Sequence, residues 1–219
     1  KAGGIQVSLS YGQSSSQSNS NATSDTARGS TVKAGGTVSI KATRTAGASN
    51  DSGADSNLTV QGSEVSGKAV NLEADNKVNL LAAQNTVTQT STNSNSSASV
   101  GVAAQLGNQG SGIGFTASLS KGGGNGNGTE TTYTNTHVAG ADSVSIQSGG
   151  DTTLKGAQLA GDRLVLDVGR DLLIESLRDV STFASQQSSS GFSLSLCIPP
   201  ICGGVMVTGS FSASEQSLK

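Results

Sequence analysis

The sequence predicts an all-β solenoid, a parallel β-helix whose coils alternate with β-hairpins. Three observations carry that prediction. First, residues 140–159 (GADSVSIQSGGDTTLKGAQL) repeat as residues 160–179 (AGDRLVLDVGRDLLIESLRD). A shift of 20 places Val144 on Leu164, Ile146 on Leu166, Gly149 on Gly169, Asp151 on Asp171 and Leu154 on Ile174. Second, a larger repeat contains this one, because residues 62–84 align without a gap on residues 156–178 at a shift of 94. Third, the apolar residues come in short, evenly spaced clusters with period-two alternation. Self-similarity at about 20 to 50 residues signals stacked supersecondary units, and alternation signals half-buried strands.

The coil strands follow in order as TVSIK (37–41), LTVQ (58–61), AVNLE (69–73), KVNLL (77–81), SVSIQ (143–147), TTLK (152–155), RLVLD (163–167) and DLLIE (171–175). Between them stand Gly35-Gly36, Asp75-Asn76, Gly149-Gly150 and Gly169-Arg170. These are turn residues, because Gly, Asn and Asp tolerate left-handed backbone. Strand, tight turn, strand, tight turn in 20 residues is one coil. Stacking the coils turns Val144 over Leu164, Ile146 over Leu166 and Leu154 over Ile174 into apolar ladders. In the first module Val38 matches Val70 at a separation of 32, so a polar loop within residues 43–57 is expected to bulge from the coil. Such loops cost little when they leave from the surface. The rung blocks are expected at about 31–89 and 137–183.

Different material separates the blocks. Residues 98–106 and 113–120 alternate around NQGSG, with Ala98, Val100 and Val102 opposite Ile113, Phe115, Ala117 and Leu119. This reads as a hairpin with one apolar face. It recurs: residues 3–10 and 205–212 align with 113–120, and 191–197 align with 97–103. Hairpin segments are therefore expected at about 1–12, 97–121 and 190–213. The Ser-, Asn- and Gly-rich strings at 14–26, 90–99 and 121–132 have linker composition. Their fixed place in the module suggests extended connections, some partly disordered.

Composition narrows the function classes. The 219 residues carry a formal charge of −2, with 3% aromatic and 13% charged residues. A near-neutral chain without clustered Lys and Arg does not suit nucleic acid. No apolar run reaches the roughly 20 residues of a membrane helix. The chain opens on Lys-Ala-Gly-Gly inside a repeat, which reads as a piece of a longer protein. Cys197 and Cys202 flank two prolines in SLCIPPICGG, where a turn would bring the sulfurs together. A local disulfide is the expectation and two free thiols the alternative; a lone cysteine pair does not complete a tetrahedral zinc site.

No catalytic, cofactor or metal site is expected. Asp142 and Asp162 are equivalent positions in consecutive coils, as are Asp151 and Asp171. Stacked carboxylates about 5 Å apart could share Ca²⁺, but Asp before a strand is turn chemistry first. His137, the only histidine, matches Thr31 at a shift of 106, so the position does not demand an imidazole. No nucleophile elbow accompanies the many serines, and the Gly-rich 121–128 lacks the Lys-Ser/Thr ending of a phosphate loop. The hairpin strands, eight to nine residues of small apolar side chains alternating with Ser or Gly, approach the roughly 9–11 of a membrane-spanning strand. Deployed hairpins could associate with a membrane or with each other; otherwise each folds its apolar face onto the solenoid.

Residues 125–179 and 188–204 carry a resemblance to the filamentous haemagglutinin family of large bacterial exoproteins. Within it the chain most resembles the second repeat region of contact-dependent growth-inhibition effectors. The segments GDTTLKGAQ, DVGRDL and CIPPIC carry it together and in order. The resemblance implies a right-handed parallel β-helix with hairpin excursions, which we expect to lie alongside the helix as additional sheet. It also implies export through an outer-membrane two-partner secretion transporter and display on the bacterial cell surface. The expected partners are that transporter and the target cell's outer membrane or a receptor there, with no nucleic acid bound by this segment. Its expected role is non-catalytic support of toxin delivery to neighbouring bacteria. The alternative is a haemagglutinin-type adhesin binding host cells or matrix carbohydrate.

Overall fold

In the computed structural model, residues 5–44, 56–106, 112–198 and 204–219 are described. They form fourteen strands: β1 (Ile5–Asp25), β2 (Thr31–Lys33), β3 (Thr37–Ala42), β4 (Leu58–Gln61), β5 (Glu64–Ala74), β6 (Val78–Leu81), β7 (Ala83–Leu106), β8 (Gly112–Thr134), β9 (Thr136–Ser148), β10 (Thr152–Lys155), β11 (Ala157–Val168), β12 (Leu172–Glu175), β13 (Val180–Ile198) and β14 (Met206–Leu218). Among the described residues there is no α-helix, so the chain is all-β. It divides into two compact units. One comprises Ser24–Val87 and Glu130–Ser181; the other comprises Lys1–Thr23, Thr88–Thr129 and Thr182–Lys219.

The first unit is built from two sheets that the chain visits in turn. One has the order β11-β9-β5-β2, with β3 also on β5; the other has the order β12-β10-β6-β4. All the pairings are parallel. β9 and β11 place Val144 opposite Leu164 and Ile146 opposite Leu166, while β10 and β12 place Leu154 opposite Ile174. Each strand pair is thus one 20-residue step of chain set against the next.

Parallel sheets usually lie buried on both faces and read as continuous apolar runs. These alternate because each has one face toward the core and one toward water. In β5, Val70, Leu72 and Ala74 point in and their neighbours do not. The core lies in this unit and holds all the buried apolar side chains of the described residues, among them Val65, Val78, Leu80, Val138, Val144 and Ile146. Each fully buried Val, Leu or Ile stabilises by about 1.5–3 kcal/mol. Outward positions also stack: Lys155 Nζ lies 3.0 Å from Glu175, and Asn79 donates to Thr59 Oγ1 at 3.3 Å.

The turn pairs are bends, as their composition suggests, but the left-handed backbone lies elsewhere. Among the described residues only Gly62 (φ 56°) and Gly156 (φ 63°) have positive φ. Both sit where the chain leaves one parallel sheet for the other, and a Cβ there would meet Ala83 or Ala82 at 2.6 Å. At Gly149, Gly150 and Gly169 glycine serves close approach instead, and a Cβ on Gly149 would run into the Asp75 carbonyl oxygen of the neighbouring coil; a Cβ on Gly35 or Gly36 would meet open space. The polar loop expected within 43–57 lies largely outside the described residues.

The second unit is a five-stranded sheet in the order β1-β7-β8-β13-β14. β13 and β14 are antiparallel, with Phe192 opposite Phe211 and Leu196 opposite Val207. The strands reach well beyond the alternating apolar segments. The strings 14–26, 90–99 and 121–132, read from composition as connections, are almost entirely strand. Their backbone finds partners across the sheet, and backbone pairing is indifferent to side-chain hydrophobicity.

Candidate interaction surface on the antiparallel sheet

Because side chains alternate across a strand, the five-stranded sheet has two chemically distinct faces. One is lined with hydroxyls. Ser97 pairs with Ser120 and Ser99 with Ser118, both at 2.7 Å, across β7 and β8. Ser189 pairs with Ser214 at 2.8 Å and Ser193 with Ser210 at 2.7 Å across β13 and β14, and Ser195 pairs with Thr208. These cross-strand pairs fix the register where apolar packing does not. Gly101 fits the same face, since a Cβ there would lie 2.7 Å from Thr116 Oγ1.

The opposite face is apolar. Leu9 and Tyr11 of β1, Val100 and Val102 of β7, and Phe115 and Ala117 of β8 line one shallow concavity of about 410 Å³ together with Leu194 and Leu196. A second of about 450 Å³ involves Ala98, Leu119, Phe192 and Phe211, with Gln13 and Lys121 at its polar margin. The two share one band crossing all five strands. Its side chains are not shielded: Leu119 is 59% and Phe211 75% exposed.

The band is legible in the alternation of 98–102 and 113–119. The polar stretches that extend the strands are not. Phe183 explains part of that extension. Its ring lies over the glycines of β8, where a Cβ on Gly128 would sit 3.4 Å from Cδ2 and one on Gly126 3.7 Å from Cζ. An aromatic laid across strand glycines replaces the packing they lack. No local signal marks Phe183 for this role.

Cys197 is engaged in a disulfide; its expected partner, Cys202, lies outside the described residues. In the coil unit the ladder residues differ by coil. Val144, Ile146 and Leu154 are buried, Leu166 is partly buried against the core, and Leu164 and Ile174 are exposed on the last coil. Asp142 faces Lys68 at 3.7 Å. Asp151 takes Lys77 at 2.8 Å and Arg170 at 3.5 Å. The hydrogen bond from Lys77 and the nearby Arg170 charge hold the Asp151 carboxyl below the usual range. Its near neighbours are therefore side-chain cations. His137 is exposed, in register with Glu64 on one side and Gln158 on the other; Thr31, its repeat equivalent, is also in register with Glu64.

Two buried polar devices carry no sequence signature. The Thr136 hydroxyl, fully buried, donates to the Leu81 carbonyl at 2.6 Å. Ser148 and Thr152, also buried, share a 2.8 Å hydroxyl pair under the Gly149-Gly150 bend.

Comparison with known proteins gives a consistent result. The profile of the family described as Hemagglutinin repeat matches residues 9–191. A tRNA nuclease CdiA of Escherichia coli is 38% identical over 219 residues, 100% of this chain and 6% of the relative. A deoxyribonuclease CdiA of Dickeya dadantii is 33% identical over 216 residues, 98% of this chain and 6% of the relative. A 16S rRNA endonuclease CdiA of Enterobacter cloacae is 40% identical over 186 residues, 84% of this chain and 5% of the relative. The chain thus spans a small fraction of the curated relatives it matches. No solved structure matches it.

Proposed function

The chain belongs to the hemagglutinin-repeat family, and from that premise we propose that it is a non-catalytic structural and delivery segment of a large secreted bacterial surface exoprotein, a contact-dependent growth-inhibition effector. One observation carries the reading. Relatives named for three different nuclease activities, on tRNA, on 16S rRNA and on DNA, share this segment along most or all of its length. A stretch common to proteins with different substrates does not set the substrate; it does something they all require. Physically it offers a coil of stacked strands with a continuous apolar core, extended by repetition, and a two-faced sheet repeated with each module. A solenoid of this kind is stiff and quasi-one-dimensional, since each repeat contacts only its neighbours. That suits holding a distal domain away from the producing cell.

In this reading the coil is a right-handed parallel β-helix, the hand that parallel strand crossovers almost always take. The parent protein leaves through an outer-membrane two-partner secretion transporter, stands on the cell surface, and meets the outer membrane of a neighbour or a receptor there.

The test is removal of the segment corresponding to residues 24–219 from a parent effector, followed by co-culture with susceptible neighbours. Surface display measured by antibody should persist while growth inhibition is lost. A displayed deletion that still inhibits at the parental level would sink the delivery role. A glycan array probed with the purified chain separates the adhesin reading, which requires specific carbohydrate binding.

A further inference from the structure

We propose that the two Asn-Gly steps of β8, Asn125-Gly126 and Asn127-Gly128, are a site of spontaneous modification, the conversion of asparagine to isoaspartate, which pairing of the strand holds off and opening of the strand releases. The inference goes beyond the delivery role and does not depend on it.

The chemistry needs only the chain and water. The Gly126 nitrogen gives up its proton to base and bonds to the Asn125 side-chain Cγ. The Cγ–Nδ2 bond breaks, ammonia leaves with a proton, and a five-membered succinimide ring forms. Water then opens the ring at either carbonyl, giving aspartate or isoaspartate. Asn127 and Gly128 can react in the same way. Glycine after asparagine obstructs the attack least, because it has no Cβ. These are the only two Asn-Gly pairs in the sequence.

The fold explains both why glycine stands there and why the reaction is slow. Side chains alternate across a strand, so Gly124, Gly126 and Gly128 share one face of β8 and the two asparagines the other. Neighbouring strands close on the glycines. A Cβ on Gly124 would lie 2.6 Å from the Gln186 carbonyl oxygen, and one on Gly126 2.9 Å from Ser91 Oγ. One on Gly128 would touch the Phe183 ring at 3.4 Å. The labile sequence is therefore a consequence of close packing.

Asn-Gly is ordinarily a strong turn signal. Here both pairs lie inside a strand, Gly112–Thr134, hydrogen-bonded to β7 on one side and β13 on the other. That pairing engages the attacking N–H groups. A strand ψ of about +135° also turns the glycine nitrogen away from the asparagine side chain. Released from the sheet, the segment is free to take the turn conformations in which the ring closes. Isoaspartate adds a methylene to the backbone and a negative charge, and both oppose re-pairing in the old register. Opening of β8 thereby becomes irreversible.

Peptide mapping by mass spectrometry tests the proposal on the purified chain, incubated in mildly alkaline buffer with and without guanidinium chloride. In denaturant, Asn125 and Asn127 should convert ahead of the other asparagines. In the folded chain they should convert more slowly by roughly tenfold or more, since only the open fraction reacts. Phe183→Ala should raise the folded-state rate, and Ile174→Ala, at an exposed coil position, should not. Circular dichroism confirms the fold of each variant. The comparison with denaturant uses no variant, so misfolding of Phe183→Ala leaves the test decisive. Equal rates with and without denaturant overturn the proposal. So do asparagines that stay intact in denaturant, and a folded Phe183→Ala that reacts no faster than wild type.

Discussion

Leu80 and Ile174 stand in one inward-facing column, with Leu154 between them. Leu80 is fully buried and Ile174 is 69% exposed. Truncation should therefore separate two positions that the repeat makes equivalent. Leu80→Ala leaves a cavity between packed coils and should cost about 2–5 kcal/mol. Ile174→Ala should change stability by no more than about 0.5 kcal/mol. Thermal or chemical unfolding of both variants of this chain measures the difference, and equal losses would refute it. Asp151 belongs to the same scale. Its native pKa is lowered, first by the Lys77 hydrogen bond and then by Arg170. A depressed carboxylate contributes stability that is fully present above its unfolded-state pKa and is lost as pH falls through the native value. Asp151→Asn should therefore be slightly less stable than wild type at neutral pH and equal to it in strong acid. Curves of melting temperature against pH that stay parallel to the acid limit would refute this. The pair is only half-buried and partly screened by water, so the effect is small.

Among elements, the length of the strands separates expectation from structure. Alternation in 98–102, 113–119 and 191–197 exposes the apolar band to inspection, because a period of two is itself the signal. Ser-, Asn- and Gly-rich stretches have low strand propensity, and nothing local marks them as strand. They become strands because their backbone finds partners across the sheet, with one aromatic ring laid over the glycines of β8. Phe183→Ala should thus loosen β8 around Gly126 and Gly128 while leaving the coil strands unchanged. Faster amide exchange confined to residues 122–130 is the expected readout. No change there would show that backbone pairing alone holds the glycine run. The turns make a similar point: Gly, Asn and Asp pairs were legible as bends, whereas the demand for left-handed backbone at Gly62 and Gly156 comes from the passage between sheets.

For the whole molecule, the buried apolar core lies in one unit, and the other presents its apolar residues to solvent. Protection against hydrogen exchange should follow that division. Amides of β5, β6, β9 and β10, flanked by strands on both sides, should exchange slowest, and those of the edge strands β1 and β14 fastest. Uniform protection throughout the chain would contradict it. The sequence by itself determined the all-β class, the 20-residue step and the pairing of Val144 with Leu164 and Leu154 with Ile174. Stacked coils require like residues at like positions, so the repeat is written into the chain. Only the tertiary structure decided which ladder residues are buried, how far the polar strands extend, and that five strands from all over the chain join one sheet with a single apolar face. Each of those depends on what a strand's neighbours cover, and a neighbour 20 to 90 residues away leaves no mark on the local sequence.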